Sequence, residues 1–162
     1  MSLLSSAVIR ISEIVHGSEA YQLECALRNR ILREPLGLSL YDEDLEREQA
    51  FRHFGAYEGD RLVGCLIAVP LEGGVFQLKQ MAIDTSLQGR GLGRQLMVGV
   101  ESRLGKAGAR ELRLHARESA IGFYERLGFA KEGRRFEEIG IPHFLMRKSL
   151  AIDEVAPSGE GR

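Results

Sequence analysis

Residues 88–93 read Gln88-Gly89-Arg90-Gly91-Leu92-Gly93, and the fold of the chain is decided by what surrounds them. Three glycines at alternate positions let a backbone turn tightly and approach a ligand closely. Upstream, Phe76 to Ile83 (FQLKQMAI) reads as a strand. Downstream, Leu92, Leu96, Val100 and Leu104 recur every four residues and mark a helix from about Gly91 to Lys106, closed by Gly108. A strand, a glycine turn and a helix start together leave unpaired N–H groups and the positive end of the helix dipole at the turn. That combination suits a phosphate or pyrophosphate, and Arg90 and Arg94 add positive charge. Two nucleotide-binding patterns fail on spacing. A P-loop ends in Gly-Lys-Ser/Thr, whereas Gly93 is followed by Arg94-Gln95; a dinucleotide fingerprint counted from Gly89 needs a sixth-position glycine, where Arg94 stands.

Working outward, Ala7 to Val15 alternates as a first strand. Tyr21 to Arg33 carries Leu23, Leu27 and Ile31 at four-residue spacing, as an amphipathic helix would, and Pro35 ends it. Acidic Asp42 to Glu48 reads as a loop or short exposed helix. Phe54 to Tyr57 and Arg61 to Pro70 flank the turn Glu58-Gly59-Asp60 as a hairpin. The second run (RLVGCLIAVP) is almost wholly apolar, which fits a central strand buried on both faces. Beyond the second helix, Glu111 to His115 alternates as a strand. Ala120 to Leu127 is a short helix with Gly128 as its C-cap, and Phe129 to Arg134 and Phe144 to Lys148 are late strands. The order implies a mixed α/β sheet with helices on both faces.

The chain has 162 residues, the size of one ordinary domain and enough for a core without disulfides. We expect a single domain over residues 1–150 and a flexible tail from Ala151 to Arg162. A net charge of −1 and the lack of a basic stripe argue against a nucleic-acid binder. Cys25 and Cys65 lie in apolar stretches without a CxxC or metal-type spacing and read as small buried thiols. With no long apolar run or leader segment, a cytoplasmic protein without membrane association is expected.

The Gln88–Gly93 turn resembles the Q/R-x-x-G-x-G/A pyrophosphate loop of the GCN5-related N-acetyltransferase (GNAT) superfamily. Ser119 to Phe129 (SAIGFYERLGF) is similar to that superfamily's A-x-x-F-Y-x-x-L-G-F segment, and the two motifs stand in the usual order and separation. Phe136 to His143 (FEEIGIPH) resembles an element of the bacterial ElaA/YjcF-like branch. The resemblance covers the chain from about Val8 to Leu150.

The resemblance implies transfer of an acetyl group from acetyl-CoA to a primary amine of a small molecule or peptide, by direct attack and without a metal. It implies that Met81, Ala82 and Ile83 pair with the pantetheine arm, and that an N–H of Met81 or Ala82 stabilises the oxyanion. Gln88, Gly89, Arg90, Gly91, Leu92, Gly93 and Arg94 would hold the pyrophosphate, while Ser119, Ala120 and Phe123 would flank the CoA arm. Many relatives carry Asn where Ser119 stands. Tyr124 takes the position of the general acid. For the base, His143 ranks first for its place in the branch element and its titration range, ahead of His53, His115, Glu72 or a water chain. Lys79 and Gln80 would line the acceptor site. The first helix and the loop after it offer Arg28, Arg30, Arg33 and Glu34, either toward an anionic acceptor or as a solvated helix face. Many members are dimers, so a homodimer is one expected assembly. The alternative on the same fold is a non-catalytic acyl-CoA-binding sensor.

Overall fold

In the computed structural model, which describes residues 8–151, the N-terminal alternation becomes β1 (Ile9–Ile14). Ala7 and most of the expected tail lie outside the described residues. Ser18 caps α1 (Glu19–Leu32): its hydroxyl accepts from the Tyr21 N–H at 3.1 Å, satisfying one of the unpaired donors of the first turn. The helix stops ahead of Pro35, as expected. Its face differs from the expected one. Tyr21, Glu24, Cys25, Leu27 and Arg28 are buried, whereas Leu23 is 51% exposed. Tyr21 and Cys25 join Ile14, Leu40 and Leu62 in one apolar cluster, and Leu27 joins Cys65 and Ala82 in another. These two clusters set the rotation of α1, and Leu23 falls outside both.

Short 3-10 turns at Leu40–Asp42 and Glu46–Ala50 occupy the acidic stretch and lead into β2 (Arg52–Glu58) and β3 (Arg61–Pro70). These strands pair antiparallel with His53 opposite Ile67, and β2 also pairs antiparallel with β1. Leu62 through Ala68 is continuously buried, as the apolar run of β3 requires. β4 (Val75–Ile83) precedes α2 (Leu92–Lys106), whose Leu92, Leu96, Val100 and Leu104 all face inward.

β5 (Glu111–Arg117) and α3 (Ile121–Arg126) follow. The last strands are longer than expected: β6 (Ala130–Glu138) and β7 (Ile141–Ser149) form a hairpin through Ile139 and Gly140, at φ 55° and 70°. Phe136 stands opposite His143, so the FEEIGIPH element is the hairpin's tip and His143 lies inside β7 rather than before it. β6 is largely exposed and carries little apolar alternation; its pairing with β7 makes it a strand.

The seven strands form one mixed sheet in the order β1-β2-β3-β4-β5-β7-β6. The chain comprises two compact units, one reaching to Pro70 and including Leu78–Ser102, the other taking Leu71–Gln77 and the chain from Arg103. Among the described residues no helix is long and apolar enough to cross a membrane.

Candidate active site

The turn between β4 and α2 is built on Asp84. Its Oδ1 accepts from the Ser86 N–H at 3.0 Å and the Ser86 hydroxyl at 2.8 Å, and its Oδ2 accepts from Arg61 at 2.8 Å. These bonds, the Ser86 hydroxyl first, hold the carboxyl below the usual carboxylate range. An open cleft of about 640 Å³, lined by Leu23, Leu27, Leu62, Arg30 and Arg61, lies beside this anchor. The Gln88 side chain donates to the Ile83 carbonyl at 3.2 Å, closing the turn over the end of β4.

Gly89 and Gly91 have φ of 84° and 80°, and a Cβ on either would meet nothing within 4 Å. The glycines are therefore required by backbone conformation rather than crowding, and the space above them is open. The Gly91 carbonyl accepts from the Gln95 N–H at 3.1 Å, so α2 begins there and the N–H groups of Leu92, Gly93 and Arg94 have no intrahelical partner. The first turn carries no acidic side chain. Outward donors, open space and the absence of opposing charge fit the pyrophosphate of a CoA thioester. Arg90 and Arg94 are exposed beside the turn, and Leu92 anchors it in the core. In β4, Ala82 is buried while Met81 and Ile83 are half-buried.

In the second unit, Ser119 is exposed and Ala120 and Phe123 are half-buried ahead of Tyr124. The Tyr124 ring meets Phe123 and Phe129 edge-on at 5.0 and 5.9 Å. Burial pushes its phenol pKa up, and among the described residues its hydroxyl has no hydrogen-bond partner. Gly128 ends α3 at φ 97°, with Lys148 donating to the Leu127 carbonyl at 2.7 Å. His143 is buried, stacked on Phe136 at 6.0 Å. Its Nδ1 lies 2.8 Å from the Ile141 carbonyl. A carbonyl only accepts, so Nδ1 carries the proton and Nε2 keeps its lone pair in the neutral ring. His115 instead pairs with Glu138 at 2.9 Å.

The first unit holds a polar network that the sequence reading did not foresee. Arg28 has no exposed surface, contrary to a solvated helix face. It donates to Glu24 at 2.9 Å, to both carboxylate oxygens of Glu48 at 2.9 and 2.7 Å, and twice to Gln80 Oε1 at 3.1 and 2.9 Å. Burial opposes its charge, but the two carboxylates outweigh burial and raise its pKa. Glu48 also accepts from the Tyr21 hydroxyl at 2.7 Å. His53 is buried between Glu24 Oε2 at 2.9 Å and the Glu48 carbonyl at 2.8 Å, so both its nitrogens are engaged within the protein. Arg33 pairs with Glu43 and also donates to Gln80; Arg30 reaches Asp84 at 3.4 Å. Arg28 and Arg33 are thus neutralised within the protein and do not await an anionic acceptor. Glu24, Glu48 and His53 bring ligand-type atoms within 4.8 Å of one another, but the Arg28 guanidinium already matches the two carboxylates. Lys79 is exposed, with its ammonium 5.9 Å from the Phe51 ring. The available sequence signals for this network were Glu24 and Arg28 one helical turn apart and, at the loop anchor, the Asp84-Thr85-Ser86 turn.

A mixed sheet with a glycine turn leading from a strand onto a helix N-terminus is the architecture of the acyl-CoA N-acyltransferases. The acetyltransferase (GNAT) domain model matches residues 33–150, and the chain belongs to that family. It is 25% identical over 123 residues to the uncharacterized N-acetyltransferase YjcF of Bacillus subtilis (strain 168), covering 75% of this chain and 87% of YjcF. The crystal structure of Escherichia coli ElaA has a TM-score of 0.74 at 20% identity, over 87% of this chain and 99% of ElaA. A GNAT family acetyltransferase from Elizabethkingia anophelis with acetyl-CoA bound has a TM-score of 0.65 at 17% identity, over 88% of this chain and 98% of that one.

Proposed function

We propose that this acetyltransferase-family chain moves the acetyl group of acetyl-CoA to a primary amine of a small-molecule or peptide acceptor. The observation that carries the reading is the β4–α2 turn, with its unpaired helix-terminal N–H groups beneath open space. The acetyl-CoA bound by the Elizabethkingia anophelis relative supports the choice of donor. Acetyl-CoA supplies an activated thioester, which the amine attacks with formation of an amide bond and loss of the thiolate.

The roles of the chain follow. Gln88 to Arg94 bind the pyrophosphate. Met81 to Ile83 align the pantetheine arm, and an N–H of Met81 or Ala82 donates to the oxyanion. Ser119, Ala120 and Phe123 flank the arm. Tyr124, kept protonated by burial, gives its proton to the departing sulfur. His143 takes the amine's proton at Nε2, directly or through water. No metal takes part in this reading. In this reading the protein works in the cytoplasm, away from membranes and nucleic acid, with a homodimer as one assembly open to it.

Thermal unfolding with acetyl-CoA, CoA and ATP, followed by a panel of amines, tests the proposal. Ligand at about 100 times its dissociation constant raises the midpoint by about 5–11 °C in a chain of this length. The expected result is a shift with both CoA species, none with ATP, and turnover with at least one amine. No shift with acetyl-CoA sinks the donor assignment. A shift without turnover across the panel identifies the acyl-CoA-binding sensor instead.

A further inference from the structure

Gln80 adopts φ of 58° in the middle of β4. An L side chain is disfavoured there, and the residue is not the glycine that tolerates this conformation. A left-handed residue inside a strand breaks the regular pleat and re-aims the peptide groups next to it. Here those groups are the N–H of Met81 and, one residue on, of Ala82. Strain of this kind persists only where the surroundings over-determine it, and the surroundings of Gln80 are unusual. Its Oε1 receives three guanidinium N–H bonds: 3.1 and 2.9 Å from Arg28 and 3.1 Å from Arg33. Arg28 is itself immobilised by Glu24 and Glu48, and Glu24 is held by His53. A fully buried cation and its counter-charges thus converge on one amide oxygen of a strained strand residue.

We propose that Arg28 and Arg33 act through Gln80 as a clamp that holds β4 in its kinked form and thereby sets the direction of the Met81 and Ala82 N–H groups. The inference rests on the proposed acetyl transfer, in which one of those groups meets the thioester carbonyl. Gln80 is a positioning residue in this account. It touches neither acetyl-CoA nor the reacting atoms, and its contribution passes through its own backbone conformation.

Two variants at one position separate this role from simple packing. Gln80→Ala and Gln80→Gly both remove the amide and release the clamp, and they differ only in the Cβ that penalises the left-handed backbone. Arg28 is left in place, because removing it would strand Glu24 and Glu48 uncompensated in the interior. The expected result is that Gln80→Ala lowers kcat about tenfold, the scale of the left-handed penalty, with the acetyl-CoA dissociation constant changed less than about twofold. Gln80→Gly, which reaches that conformation without the penalty, recovers most of the loss. Unchanged kcat in Gln80→Ala, or a glycine variant as slow as the alanine one, overturns the clamp. If the wild-type protein turns over no amine, the clamp is read from amide hydrogen exchange in the folded protein. Faster exchange at Met81 and Ala82 in Gln80→Ala, confined to β4, supports the clamp, and unchanged exchange there overturns it.

Discussion

Both ring nitrogens of His53 face groups that accept. The Glu48 carbonyl oxygen has no proton to give, and Glu24 Oε2 also accepts from Arg28. The geometry therefore calls for the imidazolium, which balances Glu24 and Glu48 together with Arg28. Burial works against that charge, but the Glu24 hydrogen bond and charge outweigh it and raise the pKa above its ordinary 6.5. The consequence for stability has a definite sign. A raised native pKa stabilises the fold fully below the unfolded value, and the contribution fades as pH climbs through the native one. The unfolding midpoint should fall as pH rises past about 6.5, and His53→Gln should flatten that slope in a pH series of thermal melts; an equally steep slope in the variant assigns it to another group. Tyr124 offers the second test at this scale. Its raised pKa keeps the phenol intact at neutral pH, and Tyr124→Phe preserves the ring contacts with Phe123 and Phe129 while removing the proton. Turnover should drop about a hundredfold with acetyl-CoA affinity unchanged in a binding titration, and full turnover would remove Tyr124 as the acid.

Among the elements, α2 and the turn before it behave as their sequence implies. Leu92, Leu96, Val100 and Leu104 of the helix are all buried, and Gly89 and Gly91 adopt the left-handed backbone conformation that suits glycine. Gly91→Val places a β-branched side chain at φ 80°, in open space that the pyrophosphate would occupy. The variant should weaken acetyl-CoA binding at least about tenfold by isothermal titration, from the left-handed penalty alone; an equal dissociation constant would relocate the anion site. Helix α1 was less legible. Its apolar spacing points to Leu23, yet the buried side includes Glu24 and Arg28, because these charges find Glu48, His53 and Gln80 far along the chain. Periodicity scores side chains by polarity, and a charge whose partners are non-local reads as solvated. The β6–β7 hairpin shows the same limit: its length comes from cross-strand pairing rather than from alternation in β6.

For the molecule as a whole, the local chemistry of the chain determined the mixed sheet, the order of its elements, the central place of β3 and the glycine turn ahead of α2. Each of these depends on residues close in sequence, where glycine conformations, helix spacing and strand alternation act directly. The motifs at Gln88–Gly93 and Ser119–Phe129 gave the family for the same reason, being short and contiguous. Only the tertiary structure decided what long-range pairing controls. It buried Arg28 against two carboxylates, engaged both nitrogens of His53, fixed the tautomer of His143 through Ile141 and brought two arginines onto the strained Gln80. A buried charge is tolerable only when its partners arrive from elsewhere in the fold, and that arrival is a property of the packed chain rather than of any stretch of it.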